Sequence, residues 1–207
     1  IVKRMKKLSM KLTLVSGSQR PDSRSQRVAS YLQELSREYG FTDIHPLELS
    51  NVELPFHDGY TTDISAESHP WQALAPNLRE SDAFIFITPE WHGMATPALK
   101  NFLLYCSVTE LGHKPALLAS VSASMNGVYP LSELRMTGFK NNHVCFLPDH
   151  LIFRHSEGLI STDLACSNAE FEARAKYTLK LLKAYAEALK QVREVVGEES
   201  KNYPYGM

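Results

Sequence analysis

The feature that most constrains the fold of this chain is a regular alternation of short apolar runs with longer amphipathic segments. The runs at 12–15, 83–87 and 116–121 are apolar or β-branched almost throughout, which is typical of strands buried on both faces of a parallel sheet. Between the runs, apolar residues recur at the spacing of one helix face. In the segment 25–39 those residues are Val28, Tyr31, Leu32, Leu35 and Tyr39.

The same periodicities assign elements to the whole chain. We predict strands over 12–15, 42–48, 83–87, 116–121 and 143–147. We predict helices over 25–39, 68–80, 97–107, 128–137 and 168–195. Strands that alternate with helices in this way predict an α/β sandwich, with a parallel sheet and helices on both faces. Residues 50–67 are predicted to form a long loop with aromatic and acidic side chains.

The length of 207 residues suits a single domain, because two domains would each have only a small core. We place that domain at 11–195. We expect residues 1–10 to be a disordered, solvated N-terminus or residues foreign to the natural chain. The last stretch, 196–207, is expected to be a polar C-terminal tail.

Charge and composition exclude several classes of protein. A net charge of −1 gives no field that would attract nucleic acid or an anionic membrane, and no apolar run approaches the ~20 residues of a membrane span. The three cysteines lack CxxC spacing, which argues against a disulfide framework or a zinc site and favours a reducing, cytoplasmic location. The eight histidines lack metal-ligand spacing, so we predict no metal site.

The loops that follow the buried strands are the best candidates for a functional site. In an open parallel sheet, ligands bind beyond the carboxyl ends of the strands. Small and polar residues follow the first strand at 16–25, the third strand at 88–94 and the fourth at 122–127. All three loops are predicted at one edge of the sheet, so together they indicate a binding site there.

The first loop has the chemistry of an anion site. It leads into a helix N-terminus, where free backbone N–H groups and the helix dipole favour negative charge. Arg20 adds a planar cationic fork suited to phosphate, whereas Arg24 is expected to face solvent. The hydroxyl and amide donors of the loop are Ser18, Ser23, Ser25 and Gln26. Neither GxxxxGK[ST] nor GxGxxG occurs, so two alternatives stay open: a phosphate held by hydroxyls and an arginine, or a serine-rich loop that only caps its helix.

Two motifs in order resemble those of a known family. GSQRPDS at 17–23 resembles the GSxRxxS phosphate loop of the NADPH-dependent FMN reductase family. PEWH at 89–92, followed by PALKN at 97–101, resembles that family's PEYN…PGxLKN segment. The resemblance extends over residues 11–190.

The resemblance implies a fold, a cofactor and a reaction. The fold would be a flavodoxin-like three-layer sandwich with a five-stranded parallel sheet in the order 2-1-3-4-5, and the domain at 11–195 would bind FMN. The reaction would use NADPH or NADH as co-substrate to reduce a flavin, quinone, azo compound or similar small acceptor. Because the flavin carries the chemistry, we assign no catalytic side chain. The family commonly forms homodimers or homotetramers, and Phe56 and Tyr60 in the long loop are placed to reach a neighbouring subunit.

The resemblance also assigns the cofactor-binding residues. The FMN phosphate would be held by Ser18, Arg20, Ser23, Ser25 and Gln26. The isoalloxazine ring would lie along Pro89, Glu90, Trp91, His92 and Gly93. The other edge of the ring would be flanked by Ser122, Ser124, Asn126 and Gly127.

This chain departs from the family pattern at three places. Trp91-His92 stands where the family has Tyr-Asn, Ser122-Ala123-Ser124 replaces a Gly-Gly pair, and Ser25 replaces an asparagine. Two alternative functions therefore stay open. One is an electron carrier of the flavodoxin type, although such carriers tend to be more acidic than this chain. The other is a flavin-free scaffold.

Overall fold

A computed structural model describes residues 10–59, 64–203 and 205 of the chain. The described residues form a five-stranded parallel sheet with the order β2-β1-β3-β4-β5. Its strands are β1 (Met10–Ser16), β2 (Phe41–Glu48), β3 (Ala83–Pro89), β4 (Pro115–Val121) and β5 (Cys145–Phe153). The predicted sheet order and the flavodoxin-like α/β fold are confirmed.

Helices cover both faces of the sheet. They are α1 (Arg24–Glu38), α2 (Trp71–Glu80), α3 (Pro97–Tyr105), α4 (Val108–Leu111), α5 (Tyr129–Thr137), α6 (Ser156–Leu159) and α7 (Ala169–Val196). Short 3-10 helices follow β2 at Leu49–Asn51 and α7 at Gly197–Asn202. No helix in the described ranges combines the length and apolarity that crossing a membrane requires.

The central strand β3 shows how the two cores arise. Alternate side chains of a strand point to opposite faces of the sheet. Ile85 and Ile87 are therefore buried among residues of α1 and α7 on one face. Phe84 and Phe86 are buried against α2, α3 and α5 on the other face. Because both faces are covered, β3 needs the nearly continuous apolar run that predicted it.

The strand ends bring the candidate loops together. Pro89 at the end of β3 pairs with Val121 at the end of β4, and Val121 pairs in turn with Phe153 at the end of β5. On the other side, Ser16 at the end of β1 pairs with Ile87 of β3. The loops after these strands therefore start side by side at the carboxyl edge of the sheet.

The fifth strand was predicted too short and too early. We predicted residues 143–147, whereas β5 covers Cys145–Phe153. Pro148, Asp149 and His150 break the apolar pattern and conceal the second half of the strand. An edge strand tolerates proline because one side of its backbone has no partner strand. This correction moves the loop that follows β5 to residue 154.

The helix predicted over 97–107 was also too long. It ends at Tyr105, and a separate short helix, α4, begins after Ser107. The Ser107 side chain caps α4, and the Glu110 side chain accepts a hydrogen bond from the Ser107 backbone N–H. Because this capping box starts a new helix, the chain turns between α3 and α4.

The ends of the predicted domain fall close to element boundaries. Met10, assigned to the N-terminal segment, is the buried first residue of β1, whereas residues 1–9 lie outside the described residues. Helix α7 continues to Val196, and the tail begins with the 3-10 helix Gly197–Asn202.

The long loop predicted over 50–67 lacks strands and α-helices in its described part. Asn101 of α3 anchors it, because its side chain accepts a hydrogen bond from the His57 backbone N–H at 2.8 Å and donates to the Pro55 carbonyl at 2.8 Å. Phe56 between them is exposed. Tyr60 lies outside the described residues.

Candidate functional site

A cleft of about 550 Å³ lies at the carboxyl edge of the sheet, between the loops after β1, β3 and β4. Its size is in the range of small-molecule and cofactor sites. The predicted site residues that line it are Ser18, Arg20, Ser23, Ser25, Pro89, Glu90 and Trp91. It is also lined by residues that the sequence reasoning did not assign, namely Pro21, Asp22, Arg24, Arg27, Val121, Ala123 and Ser156.

Gly17 connects the loop after β1 to β3 and to the loop that follows β3. Its backbone N–H donates to the Ile87 carbonyl at 2.7 Å, and its carbonyl accepts from the Thr96 hydroxyl at 2.5 Å. A Cβ atom at position 17 would lie only 2.9 Å from the Ile87 carbonyl oxygen, so no other residue fits without a shift of the backbone. The two walls of the cleft are therefore held at a set separation.

The N-terminus of α1 presents donors to the cleft. The Ser23 hydroxyl oxygen caps the helix by accepting from the Gln26 N–H at 3.2 Å, and the Ser18 hydroxyl oxygen accepts from the Arg20 N–H at 3.2 Å. Because both hydroxyls act as acceptors here, their hydrogens stay free to donate to a ligand. The first turn of α1 contains no acidic residue, so its dipole is available to a bound anion.

Three arginines lie on the walls of the cleft. The guanidinium of Arg20 lies over the ring of Trp91, with its Cζ 5.0 Å from the ring centroid. Arg24, which we expected to face solvent, lines the cleft and pairs with Glu157 of α6 at 2.8 Å. Arg27 donates to the Ile160 carbonyl at 3.4 Å. These side chains place positive charge beside the helix N-terminus.

Glu90 carries an unsatisfied acceptor. Its backbone N–H donates to the Val121 carbonyl at 3.0 Å, which fixes the start of the loop after β3. Its Oε2 accepts a long hydrogen bond of 3.5 Å from Ser122, whereas its buried Oε1 has no partner among the described residues. A buried carboxylate oxygen without a donor is costly, and a ligand that brings a hydroxyl or an N–H removes that cost.

The residues after Trp91 form a tight turn. The Trp91 N–H donates to the Met94 carbonyl at 3.1 Å, and the Met94 N–H donates to the Trp91 carbonyl at 2.9 Å. His92 and Gly93 at the centre of the turn have φ of 51° and 79°. The His92 side chain is exposed at the tip, and Gly93 faces Tyr129 of α5. Neither residue is part of the cleft lining.

Gln26 lies in α1 but is occupied elsewhere. Its side-chain Nε2 donates to both carboxylate oxygens of Glu48 at 2.8 Å. This contact ties α1 to the end of β2, next to the cleft rather than in it.

The predicted residues of the fourth-strand loop shape the backbone of that loop. The Ser122 hydroxyl accepts from the Ser124 N–H at 3.3 Å. The Gly127 carbonyl accepts from the Ser120 hydroxyl at 2.6 Å, and Gly127 has a φ of 110°. The Asn126 side chain lies outside the cleft lining. The loop contributes Ala123 to the wall instead.

Ser156 reaches the cleft from the loop after β5. The Ser156 N–H donates to the Ser122 carbonyl at 3.1 Å, and the His155 N–H donates to the Ser124 carbonyl at 3.0 Å. Helix α6 therefore rests on the fourth-strand loop. Because β5 was predicted to end at residue 147, the sequence reasoning contained no signal for this contribution.

Among the described residues, no group of three or more histidine, cysteine, aspartate or glutamate side chains is arranged to hold a metal ion.

Comparisons with known proteins agree with this geometry. The model of the NADPH-dependent FMN reductase family matches residues 10–158. The NADPH azoreductase of Bacillus sp. strain OY1-2 is 28% identical over 197 residues, which covers 92% of this chain and 100% of that relative. A quinone reductase of Pseudomonas putida is 31% identical over 134 residues, which covers 64% of this chain and 65% of that relative.

Solved structures show the same fold. An oxidoreductase from Corynebacterium diphtheriae matches with a TM-score of 0.70 and 16% identity, over 87% of this chain and 98% of that one. The flavoenzyme NAD(P)H:(acceptor) oxidoreductase of Paracoccus denitrificans matches with a TM-score of 0.66 and 20% identity, over 89% of this chain and 98% of that one. An archaeal flavodoxin matches with a TM-score of 0.54 and 11% identity, over 87% of this chain and 99% of that one.

Proposed function

This chain belongs to the NADPH-dependent FMN reductase family, and we propose on that premise that its cleft binds FMN without a covalent bond. The FMN phosphate lies at the N-terminus of α1, and the isoalloxazine ring lies beside Pro89, Glu90 and Trp91. Membership of the family confirms the prediction of an FMN-dependent NAD(P)H oxidoreductase.

The observation that supports this assignment is that one end of the cleft offers donors and positive charge, whereas the other end offers an acceptor. One end has a helix N-terminus with no acid in its first turn, free hydroxyl hydrogens and the Arg20 guanidinium, which suit a phosphate dianion. The other end has the orphaned Oε1 of Glu90, which suits a donor. FMN carries both partners on one molecule, because its phosphate is an anion and its ribityl hydroxyls and ring N–H are donors.

Bound FMN would supply the redox chemistry, namely two-electron transfer from a reduced nicotinamide cofactor to an acceptor. The side chains of this protein bind and orient. Arg20, resting on Trp91, keeps its N–H groups available for a phosphate. Glu90 orients the flavin through the donors that face it. No side chain is assigned a proton-transfer step.

We propose that the acceptors are flat aromatic compounds such as quinones and azo compounds. The relatives named above act on these two classes by name. Met94 in the turn and Tyr129 of α5 beside Gly93 are exposed and offer apolar surface on which a flat aromatic molecule packs.

The experiment that tests the function uses the purified protein with added FMN. We expect a bound flavin with absorption maxima near roughly 370 and 450 nm, as a property of that cofactor. We also expect NADPH to be consumed when a quinone is present. An electron carrier of the flavodoxin type would bind FMN but leave NADPH unoxidised, and a flavin-free scaffold would stay colourless. Either result contradicts the proposal.

We also propose that the protein is a cytoplasmic homodimer or homotetramer. Helices α3 and α5 carry the exposed apolar residues Leu104 and Met136, and Phe56 is exposed on the loop that Asn101 anchors to α3. Three cysteines without disulfides suit a reducing compartment. Light scattering at the monomer mass of 23.3 kDa would refute the oligomer.

A further inference from the structure

A second cavity of about 670 Å³ lies next to the cleft. It is formed by the end of β5, by α6 and by the first residues of α7, and it shares Ala123 of the fourth-strand loop with the cleft. Helix α6, with the Arg24–Glu157 ion pair at its start, forms the ridge between the two spaces. A ligand longer than the cleft can therefore pass over Ala123 into this cavity.

The cavity combines an apolar floor with a polar rim. Ile152, Leu159 and Phe171 supply the apolar surface, and the Phe171 ring is held edge-on against Phe153 with ring centroids 4.8 Å apart. Asn168 on the rim accepts from the Phe171 N–H through its side-chain oxygen, which leaves its amide hydrogens free to donate. An apolar floor with amide donors at the rim suits a flat heteroaromatic base.

Arg154 brings positive charge to the same rim. Its Nε donates to the Met125 carbonyl at 2.6 Å and to the Asn126 carbonyl at 3.3 Å, which holds the plane of the guanidinium. Its two Nη groups have no hydrogen-bond or ion-pair partner within the described part of the chain. A guanidinium fixed on one side and open on the other is preorganised for a phosphate group.

We infer that this cavity binds the adenosine end of NADPH, with Arg154 as the contact for the 2′-phosphate. The inference rests on the proposed function, because hydride transfer places the nicotinamide in the cleft and the adenosine must then lie against an adjoining surface. An arginine accommodates a 2′-phosphate, whereas a site for NADH uses a carboxylate that accepts from the free 2′-hydroxyl. The carboxylate on this wall, Glu157, is paired with Arg24. The assignment therefore favours NADPH over NADH.

A binding experiment without flavin chemistry tests the cavity directly. We expect calorimetry to show that adenosine 2′,5′-bisphosphate binds about tenfold more tightly than 5′-AMP, because only the former has the 2′-phosphate. Arg154→Ala removes this preference, Arg154→Lys recovers part of it, and Arg37→Ala, at an exposed arginine of α1, leaves it unchanged. Equal binding of the two nucleotides by the unaltered protein, or an unchanged preference in Arg154→Ala, overturns the inference.

Gly158 allows the cavity to be filled without damage to the fold. It lines the cavity, and a Cβ atom at this position would meet no atom within 4 Å. We expect Gly158→Trp to raise the KM for both NADPH and NADH by about tenfold, whereas Arg154→Ala raises only the KM for NADPH.

The outcomes separate this inference from the proposed function. If adenosine 2′,5′-bisphosphate binds as expected but NADPH is never oxidised, the proposed function fails and the nucleotide site stands. If NADPH is oxidised but Gly158→Trp and Arg154→Ala leave both KM values unchanged, the function stands and the nucleotide site is wrong. Retention of FMN by each variant, measured by absorbance, shows that the cleft itself is intact.

Discussion

Buried charged side chains at the two edges of the sheet differ in whether their hydrogen-bonding atoms have partners. At the carboxyl edge, the Glu90 Oε1 has no partner among the described residues, and the first turn of α1 has no acid. At the amino edge, the Lys114 ammonium is buried and donates to three carbonyls, those of Leu78 at 2.9 Å, Arg79 at 2.7 Å and Glu110 at 2.8 Å. Glu90 at the carboxyl edge therefore keeps an acceptor for a ligand, whereas Lys114 at the amino edge uses its donors within the protein.

At the amino edge, the buried charges of Lys114 and Glu110 are satisfied within the protein. The Glu110 carboxylate is only 2% exposed, yet it accepts from the Arg79 Nε at 2.9 Å and from the Ser107 hydroxyl at 2.7 Å. Burial lowers the pKa of Lys114 to about 7, although the surrounding carbonyls accept from its ammonium. The difference between the edges teaches that a buried polar group indicates a ligand site only when its partners are missing.

The largest effect is expected on stability, when the buried Lys114 at the amino edge is replaced. Lys114→Met removes a donor from three carbonyls, of which only that of Leu78 still accepts from the Ser81 N–H at 3.2 Å among the loop and cap hydrogen bonds, so it should lower the free energy of unfolding by about 3 kcal/mol at pH 7. Denaturant unfolding measures this loss. Lys190→Met, at an exposed position on α7, is the control and should change stability by less than about 0.5 kcal/mol. A weakened affinity for FMN in Lys114→Met would mean that the two edges are not independent.

The next largest effect is expected from the phosphate end of the carboxyl edge. Arg20→Ala should weaken FMN binding by about 10- to 100-fold, because a charge-assisted contact to the phosphate is lost. Riboflavin has no phosphate, so its binding should hardly change. Fluorescence quenching measures both affinities.

Two variants control the Arg20 experiment. Arg20→Lys should recover part of the affinity for FMN, since it restores the charge without the planar fork. Arg37→Ala, at an exposed arginine near the C-terminal end of α1, should have no effect. Equal losses for FMN and riboflavin in Arg20→Ala would contradict a phosphate contact and point to general damage.

The pH dependence of stability sharpens the comparison at the amino edge. The pKa of Lys114 is about 7 in the folded protein and about 10.4 in an unfolded chain. Between pH 7 and pH 9 the folded state therefore binds fewer protons than the unfolded state, and stability rises with pH. Relative to Lys114→Met, the unaltered protein should gain about 2 kcal/mol over this interval. A difference that stays constant or falls would refute the shifted pKa.

The smallest effect is expected at Glu90. Its substitution should weaken flavin binding but stabilise the protein without flavin. Glu90→Ala should weaken the binding of FMN and of riboflavin by about fivefold each. In the proposed assignment, the lost acceptor faces the part of the flavin that the two molecules share. Without flavin, the variant should be more stable by about 1 kcal/mol, since an unpaired buried oxygen is removed. Thermal unfolding with and without FMN measures both parts. A loss specific to FMN would place Glu90 at the phosphate instead.

Local patterns were sufficient to predict most of the fold. The run at Ala83–Pro89 is buried on both faces, so its apolar character identified β3 directly. Helix α1 was predicted within a residue because its apolar residues recur at the spacing of one helix face and Gly40 follows it. Strand β5 was predicted poorly because Pro148 and two polar residues after it interrupt the pattern of an edge strand.

The sequence predicted the site residues that lie close together in the chain better than those that long-range contacts bring to the cleft. The residues of the first loop that line the cleft all lie between positions 18 and 25, and the motif at 17–23 identifies most of them. Ser156 lines the cleft from the loop after β5, where its N–H donates to the Ser122 carbonyl across the sheet edge. No spacing in the sequence records a contact of that kind.

The amino-acid sequence by itself determined the alternation of strands and helices and the family, because periodicity, capping and motif chemistry act over a few residues. Only the tertiary structure decided which polar groups keep free hydrogen-bonding capacity. Glu90 and Glu110 look alike in the sequence, but Ser107 and Arg79 satisfy one, and a buried oxygen of the other is left open. Ser107 is a local capping residue, but Arg79 comes from another helix, and its contact depends on position in space rather than on order in the sequence.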